Sequence, residues 1–352
     1  MRWDSRVIAT EDGTALPGMN RLAGLVRSVR TPEFAGVTFH EVHAKSALNR
    51  VAGKSAMPFG WSINPYRGCT HGCVYCFARG THSYLDFDTG RDFDTQIVVK
   101  LNVGELLTKE LGRPSWQREH VAMGTNTDPY QRAEGRYRLM PGVIEALAAS
   151  GTPFSILTKG TLLSRDLPLL VQAQRQAPVG LTVSLALLDP ELQAILEPGT
   201  PSPKARLELI RRIAGAGLPC GVLVAPLLPH LTDDVQQLRD LVAELAEAGV
   251  SGVSAVALHL RPGAREWFFD WLARARPDLV PQYERLYARG ANACADYRRA
   301  LSVRFRAVRA EYGLGASDPP TTRGVPNDPG ASLPAAGRPT APPAGSEQHA
   351  LF

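Results

Sequence analysis

Residues 67–79 read RGCTHGCVYCFAR, and three of the chain's five cysteines, Cys69, Cys73 and Cys76, fall inside this stretch. The spacing C-x3-C-x2-C is too tight for regular structure, and Gly68 and Gly72 free the backbone to wrap an ion or a cluster. An odd cysteine count, with three clustered and Cys220 and Cys294 dispersed, argues against a disulfide framework and for a metal site. Soft thiolates select zinc or an iron–sulfur centre. Zinc would want a fourth ligand, and His71 or His82 could supply it. A four-iron cluster on three thiolates would instead keep one iron open to an exogenous ligand. The spacing by itself admits both.

Working outward, the cysteine stretch follows the first of six short apolar runs, at 61–64, 120–123, 154–157, 180–185, 221–225 and 253–258. Such runs suit parallel strands buried on both faces. Helical patterns separate them. The clearest covers 232–248, where Val235, Leu238, Leu241, Val242 and Leu245 make one apolar stripe, Thr232 is the expected N-cap and Gly249 the stop. Six βα units predict an α/β fold, an open barrel of parallel strands with outer helices. In such folds functional residues gather after the strands, at their C-terminal ends. The polar stretches obey that rule: GTNTDPYQ, TKG, SLA, PLLPH and HLRP each follow or end a predicted strand. The cysteine loop then sits at the mouth of a large barrel that needs no structural staple, and no second cysteine pair completes a zinc half-site, which favours the open cluster over zinc.

Composition sets the outer limits. The chain of 352 residues is 44% hydrophobic and 21% charged, close to a soluble globular average, which excludes fibrous or wholly disordered structure. No run reaches the length of a membrane span, and MRWDSRVIATEDGT has no signal-peptide core, so the expected location is cytoplasmic with no membrane partner. The net charge of +5 is a mild basic balance that does not choose a partner. Residues 1–38 read as an N-terminal extension in which RLAGLVRSVR could form a short helix, and 39–312 as the barrel with C-terminal helices. The segment 313–352, with eight prolines and six glycines, reads as a disordered tail.

The cysteine triad, with Tyr75 immediately before its third member, resembles the radical S-adenosylmethionine (SAM) superfamily. NPYRGCTHGCVYCFAR, GTNTDPYQRAE, SILTKG, LEPGTPSPKARLELIRRIAGAG and APLLPHLTD resemble its branch related to spore photoproduct lyase, often labelled DNA repair photolyase-like. The resemblance spans roughly 39–271. It implies a partial (β/α)6 barrel of the triosephosphate-isomerase type in which Cys69, Cys73 and Cys76 each bind one iron of a 4Fe-4S cluster and SAM chelates the fourth. Reductive cleavage of SAM to a 5′-deoxyadenosyl radical would follow, with a flavodoxin- or ferredoxin-like electron donor.

By the same resemblance, Tyr75 lies near the adenine, Asn126 and Asp128 receive the SAM ammonium, and Lys159 with Ser184 binds its carboxylate. Asn126 and Asp128 also read as an Asx turn leading into Pro129. Arg206 and Glu197 are expected to pin the LEPGTPSP loop to the following helix rather than to touch the cofactor. His230, His259 and Arg261 end later strands and are candidates to face substrate, while Cys220 reads as a core residue and Cys294 as part of a C-terminal helix. Thr125 stands where the spore photoproduct lyases are expected to carry a hydrogen-donor cysteine, so thymine-dimer reversal does not transfer. Nucleic acid is the candidate substrate, with Arg27 and Arg30 on its expected route. The competing reading is a zinc-stabilised nucleic-acid-binding protein without SAM chemistry.

Overall fold

Short strands that are apolar at nearly every position can leave neither face in water, and they are satisfied only in the middle of a sheet covered by helices. The computed structural model, which describes residues 6–8, 22, 24–51 and 59–314, has that arrangement. Its strands are β1 (Arg6–Ile8), β2 (Leu25–Arg30), β3 (Thr38–Val42), β4 (Leu48–Arg50), β5 (Trp61–Ile63), β6 (Tyr66–Arg67), β7 (Gln96–Lys100), β8 (Val121–Met123), β9 (Phe154–Thr158), β10 (Val179–Ser184), β11 (Cys220–Leu227) and β12 (Gly252–Ala257). β5, β8, β9, β10, β11 and β12 are the six expected strands. They pair in that order, every neighbour parallel, and β4 closes the β5 edge in antiparallel register.

Helices between the strands cover the sheet, including Met140–Ala149, Leu167–Ala173, Pro203–Gly215 and Val235–Glu247. Val183, Val222, Val224 and Val253 from the strands meet Ile144, Leu170, Ile210, Leu241 and Leu245 from the helices in one continuous core. The helix after β11 carries the expected stripe, but its cap differs from the expected one. Asp234 accepts from the Gln236 and Gln237 amides at 2.8 and 3.2 Å, whereas Thr232 Oγ1 turns back to accept from the Leu228 amide at 2.9 Å. A carboxylate is the stronger acceptor at the positive end of a helix dipole, and the threonine finds a partner in the preceding turn.

A second sheet, ordered β1-β2-β3-β7-β6, was not foreseen from the sequence. The expected short helix at 21–30 is instead the strand β2, antiparallel to β1 and β3. Long-range pairing overrides a weak local helical preference, as strand propensity depends on the neighbours a segment meets. Since β2 precedes residue 38 and β3 starts there, the two sides of the expected domain boundary pair in one sheet. β3 runs parallel to β7, and β7 also pairs with β6. The chain thus leaves the first barrel strand, is caught by two residues of β6, and enters the cysteine loop from a fixed direction. The expected tail lies, beyond Leu314, outside the described residues.

Candidate active site

The cysteine loop is held by backbone and side-chain bonds along its length. At its entrance the Cys69 amide donates to the Phe93 carbonyl at 2.9 Å, and Gly68 adopts φ +78°, where a Cβ would lie 2.8 Å from that oxygen. Glycine is needed there for both reasons. Gln131, fully buried, donates to the Gly68 carbonyl at 3.1 Å and accepts from the Thr70 amide at 2.9 Å, while Thr127 Oγ1 donates to the same carbonyl at 2.7 Å. At its exit the buried Arg79 donates to the Cys73 carbonyl at 3.0 Å, to the Gly90 carbonyl at 2.6 Å and to both oxygens of Asp94. Its guanidinium also packs over the rings of Phe93 and Trp267.

The loop's third support comes from 196–200. The Val74 amide donates to the Leu196 carbonyl at 3.0 Å, the Gly199 amide to the His71 carbonyl at 2.9 Å, and a Cβ on Gly199 would stand 2.0 Å from the Thr70 carbonyl. This segment is anchored by Glu197, fully buried between two cations. Its Oε2 accepts from Arg206 Nη2 at 2.6 Å and its Oε1 faces Lys159 Nζ at 3.6 Å and accepts from the Tyr75 hydroxyl. Burial alone would raise the Glu197 pKa, but the charges of Lys159 and Arg206, with hydrogen bonds from Tyr75 and Arg206, bring it down to about 2. Arg206 also donates to the Ser184 and Pro201 carbonyls, at 3.0 and 3.1 Å, and so fixes the end of β10 to the loop. Glu197 and Arg206 therefore do pin this loop, and Glu197 additionally reaches two expected cofactor contacts.

All eight expected site residues line one cavity of about 280 Å³ at the C-terminal ends of the strands: Cys69, Cys73, Cys76, Tyr75, Asn126, Asp128, Lys159 and Ser184. Lys159 Nζ donates to Ser184 Oγ at 2.6 Å and stands 5.8 Å from the Tyr75 ring centroid. Asn126 is exposed, and among the described residues no hydrogen bond engages its side chain. Asp128 differs: its Oδ1 accepts from the Tyr130 amide at 2.8 Å and Thr158 Oγ1 at 2.5 Å, and its Oδ2 from the Lys159 amide at 2.7 Å, with His71 Nδ1 at 3.4 Å. That carboxylate forms the expected Asx turn and spends most of its acceptor capacity joining the loops after β8 and β9.

Burial raises the pKa of Cys69, Cys73 and Cys76, only partly offset at Cys69 and Cys76 by the backbone amides of His71 and Ala78. Burial thus favours the protonated thiol at all three. His82 is not with them. Its Nε2 meets the Gln96 carbonyl at 3.0 Å and its ring packs on Phe87 and Phe93, so only His71 of the two expected zinc ligands lines the cavity. Among the described residues no three His, Cys, Asp or Glu side chains are grouped to hold a single ion.

Of the later strand ends, His259 lines the cavity, whereas His230 is exposed in a turn at φ +62° and does not. Arg261 lies over the ring of Phe77, 5.3 Å from its centroid. Cys220 opens β11 in the core, and Cys294, exposed, immediately precedes the helix Ala295–Glu311. Arg27 is paired with Glu41 at 2.6 Å and Arg30 donates to Thr38, and neither lines the cavity. Both side chains are exposed on the second sheet.

An uncharacterized protein of Mycobacterium tuberculosis is 57% identical to this chain over 324 residues, covering 91% of the chain and 95% of the relative. An uncharacterized protein of Acidianus two-tailed virus is 33% identical over 210 residues, 57% of the chain and 68% of the relative. Among solved structures, a mutant spore photoproduct lyase with bound AdoMet and dinucleoside spore photoproduct superposes with a TM-score of 0.60 at 18% identity, covering 79% of this chain and 80% of that one. This likeness is one of fold, the partial barrel. The model of the radical SAM superfamily matches residues 63–242, more than half of the chain, from the end of β5 through the cysteine loop and into the helix after β11, so the chain belongs to the radical SAM superfamily.

Proposed function

We propose that Cys69, Cys73 and Cys76 hold a 4Fe-4S cluster at one end of the cavity, with SAM beside it as the ligand of the fourth iron. The supporting observation is the convergence of three thiols, two of them buried and Cys76 half-buried, with Lys159, Ser184, Tyr75 and Asn126 around one space. When bound and reduced by one electron, this pair of cofactors supplies a 5′-deoxyadenosyl radical for hydrogen abstraction. Lys159, directed by Glu197 and Ser184, binds the SAM carboxylate by charge. Asn126 offers a free acceptor to the ammonium, while Asp128 holds the two loops in place. Tyr75 packs along the adenine with its hydroxyl fixed by Glu197. The remaining walls, including Leu157, Leu223 and Leu258, keep water from the radical.

The electron comes from a flavodoxin- or ferredoxin-like donor, and the substrate is a nucleic acid or nucleotide. The substrate class is supported by the fold's likeness to a structure containing a dinucleoside lesion. Thr125, whose Oγ1 donates to Asn64 Oδ1 at 3.4 Å, brings no thiol to the cavity, so the reaction is not assigned as cysteine-dependent thymine-dimer reversal. The zinc reading loses ground with His82 turned away and no single-ion ligand group formed among the described residues.

The test is anaerobic reconstitution with iron and sulfide, then dithionite and SAM. The expected result is a broad iron–sulfur absorbance, about four irons per chain and release of 5′-deoxyadenosine. A chain that takes up only zinc and releases none would overturn the proposal.

A further inference from the structure

At the rim of the cavity a guanidinium with no carboxylate partner among the described residues lies over a partly exposed aromatic ring. Phe77 directly follows the third cysteine, lines the cavity and is 41% exposed, an unusual state for a phenylalanine beside so buried a loop. Arg261, on the loop after β12, is exposed and lies over that ring, 5.3 Å from its centroid. Among the described residues no carboxylate pairs with Arg261 and no side-chain hydrogen bond uses its guanidinium, so its donors remain available. The pair is not an accident of two mobile side chains. The turn carrying Phe77 and the loop carrying Arg261 are packed backbone to backbone, since a Cβ on Gly80 would lie 3.3 Å from the Pro262 carbonyl and one on Gly263 would lie 3.4 Å from Gly80 Cα. The Arg261 carbonyl accepts from the Ala264 and Arg265 amides at 3.1 and 2.8 Å, which fixes its backbone at the head of the following helix. His259, two residues earlier, lines the cavity with Nδ1 bound to Asn292 Oδ1 at 2.8 Å.

We infer that Phe77 and Arg261 form a nucleotide-reading rim: a nucleobase stacks on the Phe77 ring while its phosphodiester pairs with the Arg261 guanidinium. This rests on the cofactor reading above, because the rim matters to the reaction only if the cavity beneath it holds the radical source. A flat ring accepts any base π-face, and a guanidinium offers paired donors that match two phosphate oxygens. Together they select a ligand that is planar at one end and anionic at the other, with about one nucleotide between. A duplex cannot present a base in that way, so the substrate is single-stranded or has the reacting nucleotide turned out of its stack.

The experiment uses the anaerobically reconstituted full chain and fluorescence anisotropy with two labelled strands of equal length, single-stranded DNA and its fully abasic counterpart. Wild type should bind the base-bearing strand more tightly. Phe77→Ala should weaken that strand by about tenfold or more and leave the abasic strand unchanged, while Phe77→Trp restores the preference. Arg261→Met should weaken both strands and reduce the salt slope by about one. Circular dichroism and iron content check that each variant is folded and loaded. Equal binding of both strands by wild type, or an unaltered preference in Phe77→Ala, would overturn the inference, and if wild type still releases 5′-deoxyadenosine from SAM the cofactor reading stands without it. Wild type that releases none would overturn that reading and the inference together. Binding of an aromatic acidic peptide in place of either strand would likewise overturn the nucleotide assignment.

Discussion

Lys159 Nζ lies 3.6 Å from Glu197 Oε1, and this relationship ties the end of β9 to a loop 38 residues further along the chain. Because Glu197 also holds Arg206 and the Tyr75 hydroxyl, one buried carboxylate joins the cysteine loop, the proposed SAM-carboxylate site and the end of β10. Glu197→Ala should leave Arg206 buried and unpaired, at a cost of about 3–5 kcal/mol in a denaturant titration. Adding Arg206→Met should recover part of that loss, since the two charges then disappear together. SAM affinity, measured by equilibrium binding to the reconstituted protein, should fall in Glu197→Gln. It should fall further in Lys159→Met, and adding Glu197→Gln to that variant should change it little, because Glu197 acts on the SAM carboxylate through Lys159.

Replacement of Cys69, Cys73 or Cys76 by alanine should each abolish stable iron incorporation and reduce 5′-deoxyadenosine release to background. Cys294→Ser, at an exposed position that does not line the cavity, should retain its iron. Iron and sulfide assays on anaerobically prepared protein check both outcomes.

Gly199→Ala is expected to separate two packed loops without touching a ligand. Its Cβ would stand 2.0 Å from the Thr70 carbonyl, backbone against backbone, so the 196–200 segment must move away from the cysteine loop. The variant should lose about 2 kcal/mol or more of stability and take up less iron than wild type. A fully loaded Gly199→Ala protein of wild-type stability would show that this contact is unnecessary.

Burial holds His82 neutral, with its pKa lowered from 6.5 to about 4 despite the Gln96 carbonyl. The unfolded chain therefore binds a proton at His82 before the folded chain does. This stability is fully present above about pH 6.5 and is lost as pH falls toward 4. The total is about 3 kcal/mol at most. Asp94, raised by burial to about 6 despite Arg79, acts in the opposite sense over part of that range. The informative measurement is therefore the difference between wild type and His82→Gln: urea midpoints at pH 7, 5.5 and 4.5 should fall more steeply in wild type.

The parallel strands were legible because their apolar runs are local: Val179–Ser184 and Gly252–Ala257 differ by only a residue from their expected positions. That Cys69, Cys73 and Cys76 would share one loop was legible for the same reason, because they fall within eight residues. β2 was misread because its pairing with β3 and β1 is a long-range fact that LVRSVR does not carry in its own pattern. The local sequence also could not separate Asn126 from Asp128, both polar residues after one strand, because what distinguishes them is that Thr158 and the Lys159 amide come from a neighbouring strand to occupy Asp128.

By itself, then, the sequence determined the βα repeat, the clustering of three cysteines and the strand ends on which polar residues would meet, since each depends on residue type and spacing within a short window. Tertiary structure alone decided that Glu197 directs Lys159 and Tyr75, that His82 leaves the cysteines for Gln96, and that Phe77 meets Arg261 at the rim. Those outcomes rest on distances between residues 14 to 184 positions apart, and only the folded chain, which brings buried charges and ring faces to within a few ångströms, sets their energies.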